Sequence, residues 1–252
     1  MPIVLESCDF AYKRRRPVLK RFTCELPPGR TVFLGPNGAG KSTVLGLAAS
    51  ALLPRAGAVT YDGLRTSARA DRDGFRRRVA WLPQHVRPVP GLTAREQVAY
   101  AGWLKGMPRP VAWREALRAL RLVELADSAE TRVGELSGGQ QRRVGVAQSL
   151  VHGAEVLLLD EPTAGMDPRQ RAVFHEILAG LPSSVHVVLS THDTADLDGR
   201  YHHVLVLNSG QLTFRGTSEA FLAHAEPGTA PGRAADSAYQ RLAEREGTAW
   251  TV

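Results

Sequence analysis

Gly35-Pro36-Asn37-Gly38-Ala39-Gly40-Lys41-Ser42-Thr43 lies between the short apolar run Thr31-Val32-Phe33-Leu34 and the apolar stretch Val44 to Leu53. An apolar run of that length suits a buried parallel strand, and the residues after the loop offer an apolar helix face. Between them, glycines let successive backbone N–H groups curl around an anion, and the following helix presents its positive end. Lys41 is placed to reach terminal phosphates and Ser42 to ligate Mg²⁺. Strand, glycine-rich loop and helix in this order predict an α/β chain with a phosphate-binding loop at the end of a core strand.

A second apolar run, Val156-Leu157-Leu158-Leu159, leads to Asp160, Glu161 and Pro162. Asp160 is expected at the carboxyl end of a buried strand, where open parallel sheets bind ligands, and there it can hold Mg²⁺ between phosphates. Strand alternation is expected to turn Glu161 another way, toward the γ-phosphate and an attacking water. An acidic pair opening a turn at Pro162 is the ordinary reading of these residues alone; the Lys41 loop shifts it to chemistry. Upstream, Leu136-Ser137-Gly138-Gly139-Gln140 opens a helix expected from Gly138 through Leu150, with Ser137 as its N-cap and free N–H groups suited to an anion.

With these segments in place the chain resembles an ABC-type ATPase, the nucleotide-binding subunit of an ATP-binding-cassette transporter, from Ile3 to about Leu222. The resemblance implies a P-loop NTPase fold with a RecA-like parallel core, an antiparallel β lobe and an inserted α-helical lobe. It also implies that Ser137 and Gly139 bind the γ-phosphate of ATP held by the opposite subunit, so that one chain carries two half-sites. Tyr12 matches the aromatic that stacks on adenine, with Val18 as an apolar neighbour. Gln84 matches the glutamine that touches Mg²⁺ and the attacking water and senses the transport partner. His192, after Val187-Val188-Leu189-Ser190-Thr191, matches the histidine that contacts the γ-phosphate. Asp167 matches the loop that couples the two sites across the dimer; here Ala164-Gly165-Met166-Asp167 departs from the family's commoner Ser-Ala-Leu-Asp wording.

Organisation follows. Residues 1–30 read as antiparallel strands continued by Val59-Thr60-Tyr61. Thr93 can cap a helix over Ala94 to Leu104, and Val111 to Ala126 shows helical spacing, giving a short helical lobe over about 85–153 within an ATPase domain at 1–223. Residues 224–252 read as a flexible linker, Glu226 to Gly232, and a tail with a short helix near Ala238 to Glu244.

The 252 residues suffice for a full core. No apolar stretch approaches the ~18 residues that span a bilayer, and the amino terminus lacks a signal-peptide pattern. Cys8 and Cys24 have no metal spacing and read as reduced, small apolar residues. The net charge of +7 is gathered partly in Lys13-Arg14-Arg15-Arg16 and Arg76-Arg77-Arg78, without interleaved aromatics for base stacking, and reads as solvated loop charge, with proximity to anionic lipid headgroups as a second option. No nucleic acid is therefore expected. The resemblance implies ATP and Mg²⁺, a second ATPase subunit, a separate transmembrane permease and a place at the cytoplasmic face of the cell membrane. Leu92 to Tyr100, Trp103 to Gly106 and Arg132 to Leu136 resemble the subunits of bacterial ABC-2 type exporters. The alternative is a soluble ABC-type ATPase acting on nucleic acid or ribosomes; such proteins usually carry an insertion or second cassette, and this chain shows neither.

Overall fold

The strand alternation of five apolar segments builds a sheet with two buried faces. The computed structural model describes residues 1–13, 16–197 and 199–247, with side chains described to 243. The chain opens with β1 (Ile3–Phe10), β2 (Leu19–Leu26) and β3 (Arg30–Leu34), then α1 (Lys41–Ala48), β4 (Ala56–Tyr61), β5 (Leu64–Arg65), α2 (Arg72–Arg78) and β6 (Val79–Leu82). Helices α3 (Ala94–Leu104), α4 (Arg109–Leu122) and α5 (Gly138–Leu150) follow, then β7 (Val156–Asp160), α6 (Pro168–Ala179), β8 (His186–Thr191), β9 (His203–Asn208), β10 (Gln211–Thr217), α7 (Ser218–Leu222) and α8 (Ala234–Gly247).

Two sheets result. One has the order β2-β1-β4-β5 and is antiparallel throughout; the other has the order β10-β9-β3-β8-β7-β6. In the second, β9, β3, β8, β7 and β6 run parallel and only β10 is antiparallel. Val32, Leu34, Leu157, Leu159, Val187, Leu189, Val204 and Val206 face one core, shared with α3 to α6. Phe33, Leu158, Val188, Leu205 and Leu207 face the other, shared with α1 and the antiparallel sheet. Successive side chains thus feed opposite cores, as the two-residue strand period requires. The carboxyl ends of β3, β7 and β8 lie side by side, with Leu34 beside Thr191 and Asp160 beside Ser190.

Helix ends differ from expectation in ways the backbone explains. The helix after the phosphate loop stops at Ala48, and Ser50 then adopts a left-handed φ of 56°. The helix expected to reach Ala126 ends at Leu122, where Glu124 is left-handed with φ 55°; a separate 3₁₀ turn covers Ala126–Ser128. The tail carries more order than a linker and short helix: a 3₁₀ turn at Pro231–Arg233 leads into the 14 residues of α8. Ala238 and Leu242 of that helix are buried in the same core as the parallel sheet, which is the physical reason the segment is held. Arg14 and Arg15 of the first basic run lie outside the described residues, while Arg76 to Arg78 form the last turn of α2, where positive charge suits the helix dipole. Cys8 and Cys24 are free and buried, and burial pushes the Cys24 thiol up to about 12.

Candidate functional site: the phosphate loop and its neighbours

The loop is built by close packing. A Cβ on Gly35 would meet the Leu207 carbonyl oxygen at 2.3 Å, so only glycine lets the chain leave β3 against β9. Gly40, with φ 106°, turns the chain into α1 in a conformation L-residues avoid. Pro36 accepts from the Ala39 N–H at 3.2 Å, and the Ala39 carbonyl accepts from Gly210 N–H at 2.9 Å, so these residues shape the loop. Asn37, Gly38, Gly40, Lys41, Ser42 and Thr43 line a cleft of about 520 Å³ with Tyr12, Val18, Gln84, Glu161, Ala164 and His192. The expected residues from five distant parts of the chain therefore meet in one place, whose volume lies within the ordinary range for ligand sites.

Lys41 is only 4% exposed, and its Nζ donates to the carbonyls of Gly35 (2.7 Å) and Pro36 (3.2 Å) while standing 3.0 Å from Glu161 Oε1. Glu161 Oε2 lies 3.0 Å from His192 Nδ1. Cation, carboxylate and imidazole thus form a continuous line. Strand alternation is not what turns Glu161, which falls after β7 and has a left-handed φ of 44°. Its N–H points back to the Ser190 carbonyl and hydroxyl, both at 3.1 Å, and this anchoring holds a conformation that L-residues avoid.

Asp160 Oδ1 accepts from the hydroxyls of Ser42 (3.0 Å) and Ser190 (2.9 Å). Burial raises its pKa above the ordinary carboxylate value; the two serine hydrogen bonds act in the opposite direction and neighbouring Glu161 adds to the rise. Ser190 was not among the expected site residues. Its signal was present as a hydroxyl directly after the apolar run Val187-Val188-Leu189, and the fully buried side chain proves to bond Asp160 Oδ1 and the Glu161 N–H.

Tyr12 is 63% exposed at the mouth rather than packed in the core; its ring meets Phe10 edge-on at 5.0 Å and its hydroxyl pairs with Thr43 Oγ1 at 3.2 Å. A free ring face at a cleft mouth suits stacking on a planar ligand.

The Leu136-to-Gln140 segment lies elsewhere. Ser137 caps α5 by accepting from Gln140 N–H at 3.3 Å, and Gln140 Oε1 returns a bond to Ser137 N–H at 2.9 Å. Leu136 is buried in the core below, leaving Gly138 open to solvent and Gly139 without backbone crowding. Ser137, Gly139 and Gln140 line a separate cleft of about 320 Å³ with Met166, Asp167 and Gln170, sharing no residue with the Lys41 cleft. Asp167 caps α6 through Gln170 N–H at 2.8 Å. Arg142, which sequence reasoning passed over, joins the two regions: its guanidinium donates to the Gln84 carbonyl and, at 3.4 Å each, to those of Glu161 and Ala164.

A parallel sheet carrying a glycine loop, buried lysine, paired carboxylates and a terminal histidine defines a P-loop nucleotide-binding cassette. The ABC transporter family matches residues 19–164, and the chain belongs to that family as an ABC-type ATPase cassette. It is 32% identical over 73% of its length to the uncharacterized ABC transporter ATP-binding protein YxlF of Bacillus subtilis (strain 168), covering 60% of that protein. It is 34% identical over 75% of its length to the Nod factor export ATP-binding protein I of Burkholderia lata, covering 62% of it. The chain therefore spans about three fifths of these relatives. Among solved structures, a dimeric post-hydrolysis state of an ATP-binding cassette bound to ADP and Pi superposes with a TM-score of 0.74 at 26% identity, over 85% of this chain and 98% of that one.

Proposed function

We propose that this cassette is the peripheral ATPase subunit of a membrane exporter, binding ATP in the Lys41 cleft and closing on it with a second subunit. The line Lys41–Glu161–His192, with 3.0 Å at each link, is the observation that carries the reading. ATP places its phosphates on the loop N–H groups and Lys41, and its adenine on Tyr12. The γ-phosphate takes over Lys41 from Glu161, freeing the carboxylate to orient water and accept its proton. His192 holds the other Glu161 oxygen and faces the transferred phosphoryl group.

Mg²⁺ fits the donor set. Ser42, Asp160 and Gln84 offer hard oxygens, the coordination this ion requires. A cation would also favour the ionised form of Asp160, which burial alone disfavours. When bound, the metal neutralises charge on the phosphates; the chain's own residues hold it and set the direction of water attack.

The separate Ser137 cleft supports the two-subunit arrangement, because it shares no lining residue with the chain's own Lys41 cleft. A neighbouring groove of about 860 Å³ lined by Gln84, Trp81, Leu104 and Lys105 supports a permease contact there, because Gln84 lines both this groove and the Lys41 cleft. Membership of the ABC transporter family supports a separate permease and a place at the cytoplasmic membrane face; among the described residues no helix is long and apolar enough to cross a membrane. The export direction is supported by the name of the Nod factor relative.

Glu161→Gln tests the centre of this reading. It keeps shape but cannot take the water's proton, so hydrolysis is expected to fall about 10²–10⁴-fold while ATP binding survives. The variant is expected to accumulate as an ATP-dependent dimer in size-exclusion chromatography. Hydrolysis at the wild-type rate overturns the role of Glu161; an inactive variant that stays monomeric at saturating MgATP overturns closure around ATP.

A further inference from the structure

Asp196 is fully buried four residues after His192, and its Oδ2 joins the chain segments behind both ends of the Glu161–His192 contact. Oδ2 accepts from the hydroxyls of Thr163 at 2.9 Å and Thr191 at 2.5 Å. Thr163 stands two residues after Glu161, across the stiff Pro162; Thr191 immediately precedes His192. Oδ1 faces His175 Nε2 of α6 at 2.9 Å, and His175 Nδ1 meets the Tyr201 hydroxyl at 3.1 Å. The Arg171 guanidinium lies 3.8 Å from Oδ1 and holds Asp193 at 2.5 Å. Thr194 donates to Asp236 of α8.

We propose that Asp196 is a positioning residue for ATP hydrolysis, fixing the loops of Glu161 and His192 relative to each other, with His175 as its orienting partner. The inference rests on the reading that Glu161 and His192 act in hydrolysis. An ionised carboxylate only accepts hydrogen bonds, so it fixes both threonine hydroxyls as donors aimed at one oxygen and leaves neither loop free to slide. Burial raises the Asp196 pKa, yet hydrogen bonds from His175, Thr191 and Thr163 bring it below the ordinary carboxylate value, so the acceptor-only form persists. A neutral amide that accepts both hydroxyls on its oxygen turns N–H groups toward His175 Nε2, so the contact to α6 survives only in the imidazole tautomer that accepts there. The buried carboxylate carries a desolvation penalty, which its surrounding donors offset. Its two Thr contacts reach only the segments that carry the Glu161–His192 pair.

Misplacing a reacting group by about 1 Å lowers rate roughly 10²-fold. Full-length Asp196→Asn, and separately the near-isosteric double variant Thr163→Val with Thr191→Val, are therefore expected to lose about 10- to 100-fold in kcat. KM for MgATP and the affinity for a fluorescent ATP analogue are expected to stay within about 2-fold, because the phosphate loop is untouched; a loss of general packing moves both. In single-turnover assays on a Glu161→Gln background, Asp196→Asn is expected to add less than about 2-fold, as residues acting through one carboxylate are not additive. Unchanged kcat in the folded variants, a KM rise parallel to the kcat loss, or a full-sized further loss on the Glu161→Gln background overturns the proposal. If Asp196→Asn does not fold, the double threonine variant decides by the same criteria. Wild-type hydrolysis by Glu161→Gln itself strikes the underlying reading instead, and is separable because that variant leaves Asp196 intact.

Discussion

Lys41 shows how a single residue is held ready for a ligand. Its ammonium is 4% exposed and satisfied by two loop carbonyls and Glu161, a set of partners that a terminal phosphate can replace with stronger charge-assisted bonds. Lys41→Ala removes the cation and leaves the nearly buried Glu161 with His192 as its remaining close partner. MgATP affinity and turnover are both expected to fall sharply, by about 10²-fold or more in kcat/KM, since two or more kcal/mol of phosphate binding disappear with the charge. Isothermal titration with a slowly hydrolysed ATP analogue checks the binding loss, and near-wild-type turnover rejects the assignment. Glu161 is the contrasting case. Its identity and neighbours were readable, but its orientation was not: alternation describes only residues that remain in a strand, and the left-handed turn after Asp160 is fixed by Ser190 across the sheet. Ser190 and Asp196 were missed because their roles depend on contacts about 30 residues away in the chain.

At the scale of elements, capping chemistry was the most legible signal. Thr93 and Ser137 each open a helix through a reciprocal box, with Glu96 and Gln140 returning the bond, and those helices begin where the side chains place them. Helix ends were poorly legible, since Ser50 and Glu124 terminate α1 and α4 in a left-handed conformation usually signalled by glycine. The tail was legible least: Glu226 to Gly232 has linker composition, while the burial of Ala238 and Leu242 depends on a pocket formed by the rest of the fold. The two caps allow a controlled comparison. Thr93→Ala and Ser137→Ala each remove one cap bond, an expected loss of about 1 kcal/mol, and for a chain of this size about 2–4 °C in Tm. Only Ser137→Ala is expected to lower ATP turnover at matched stability, because only that cap lies in the cleft proposed to dock the opposite subunit's γ-phosphate. Equal turnover in the two variants, measured below both melting transitions, assigns Ser137 a purely structural role.

Over the whole molecule, the Lys41 and Ser137 clefts share no lining residue, which makes composite function testable without a structure of the dimer. Ser137→Arg places bulk and positive charge at the helix start, so each chain is expected to bind ATP yet fail to complete its partner's site. Lys41→Ala damages the other cleft. In a heterodimer of the two variants, one composite site pairs the intact Lys41 with the intact Ser137, while the other collects both lesions. Neither variant alone can form an intact site. Random pairing of equal amounts gives about half heterodimers, each with one intact site out of two, so ATPase activity is expected to recover to about a quarter of the wild-type rate if sites act independently. Differential tagging and tandem purification isolate the heterodimer and raise the expectation to about half. Cooperation between the sites lowers these figures but leaves the mixture above either parent. Recovery absent from a purified heterodimer, with ATP bound and the fold intact, means that each chain completes its site without the other's Ser137 face, and the two-subunit closure is then wrong.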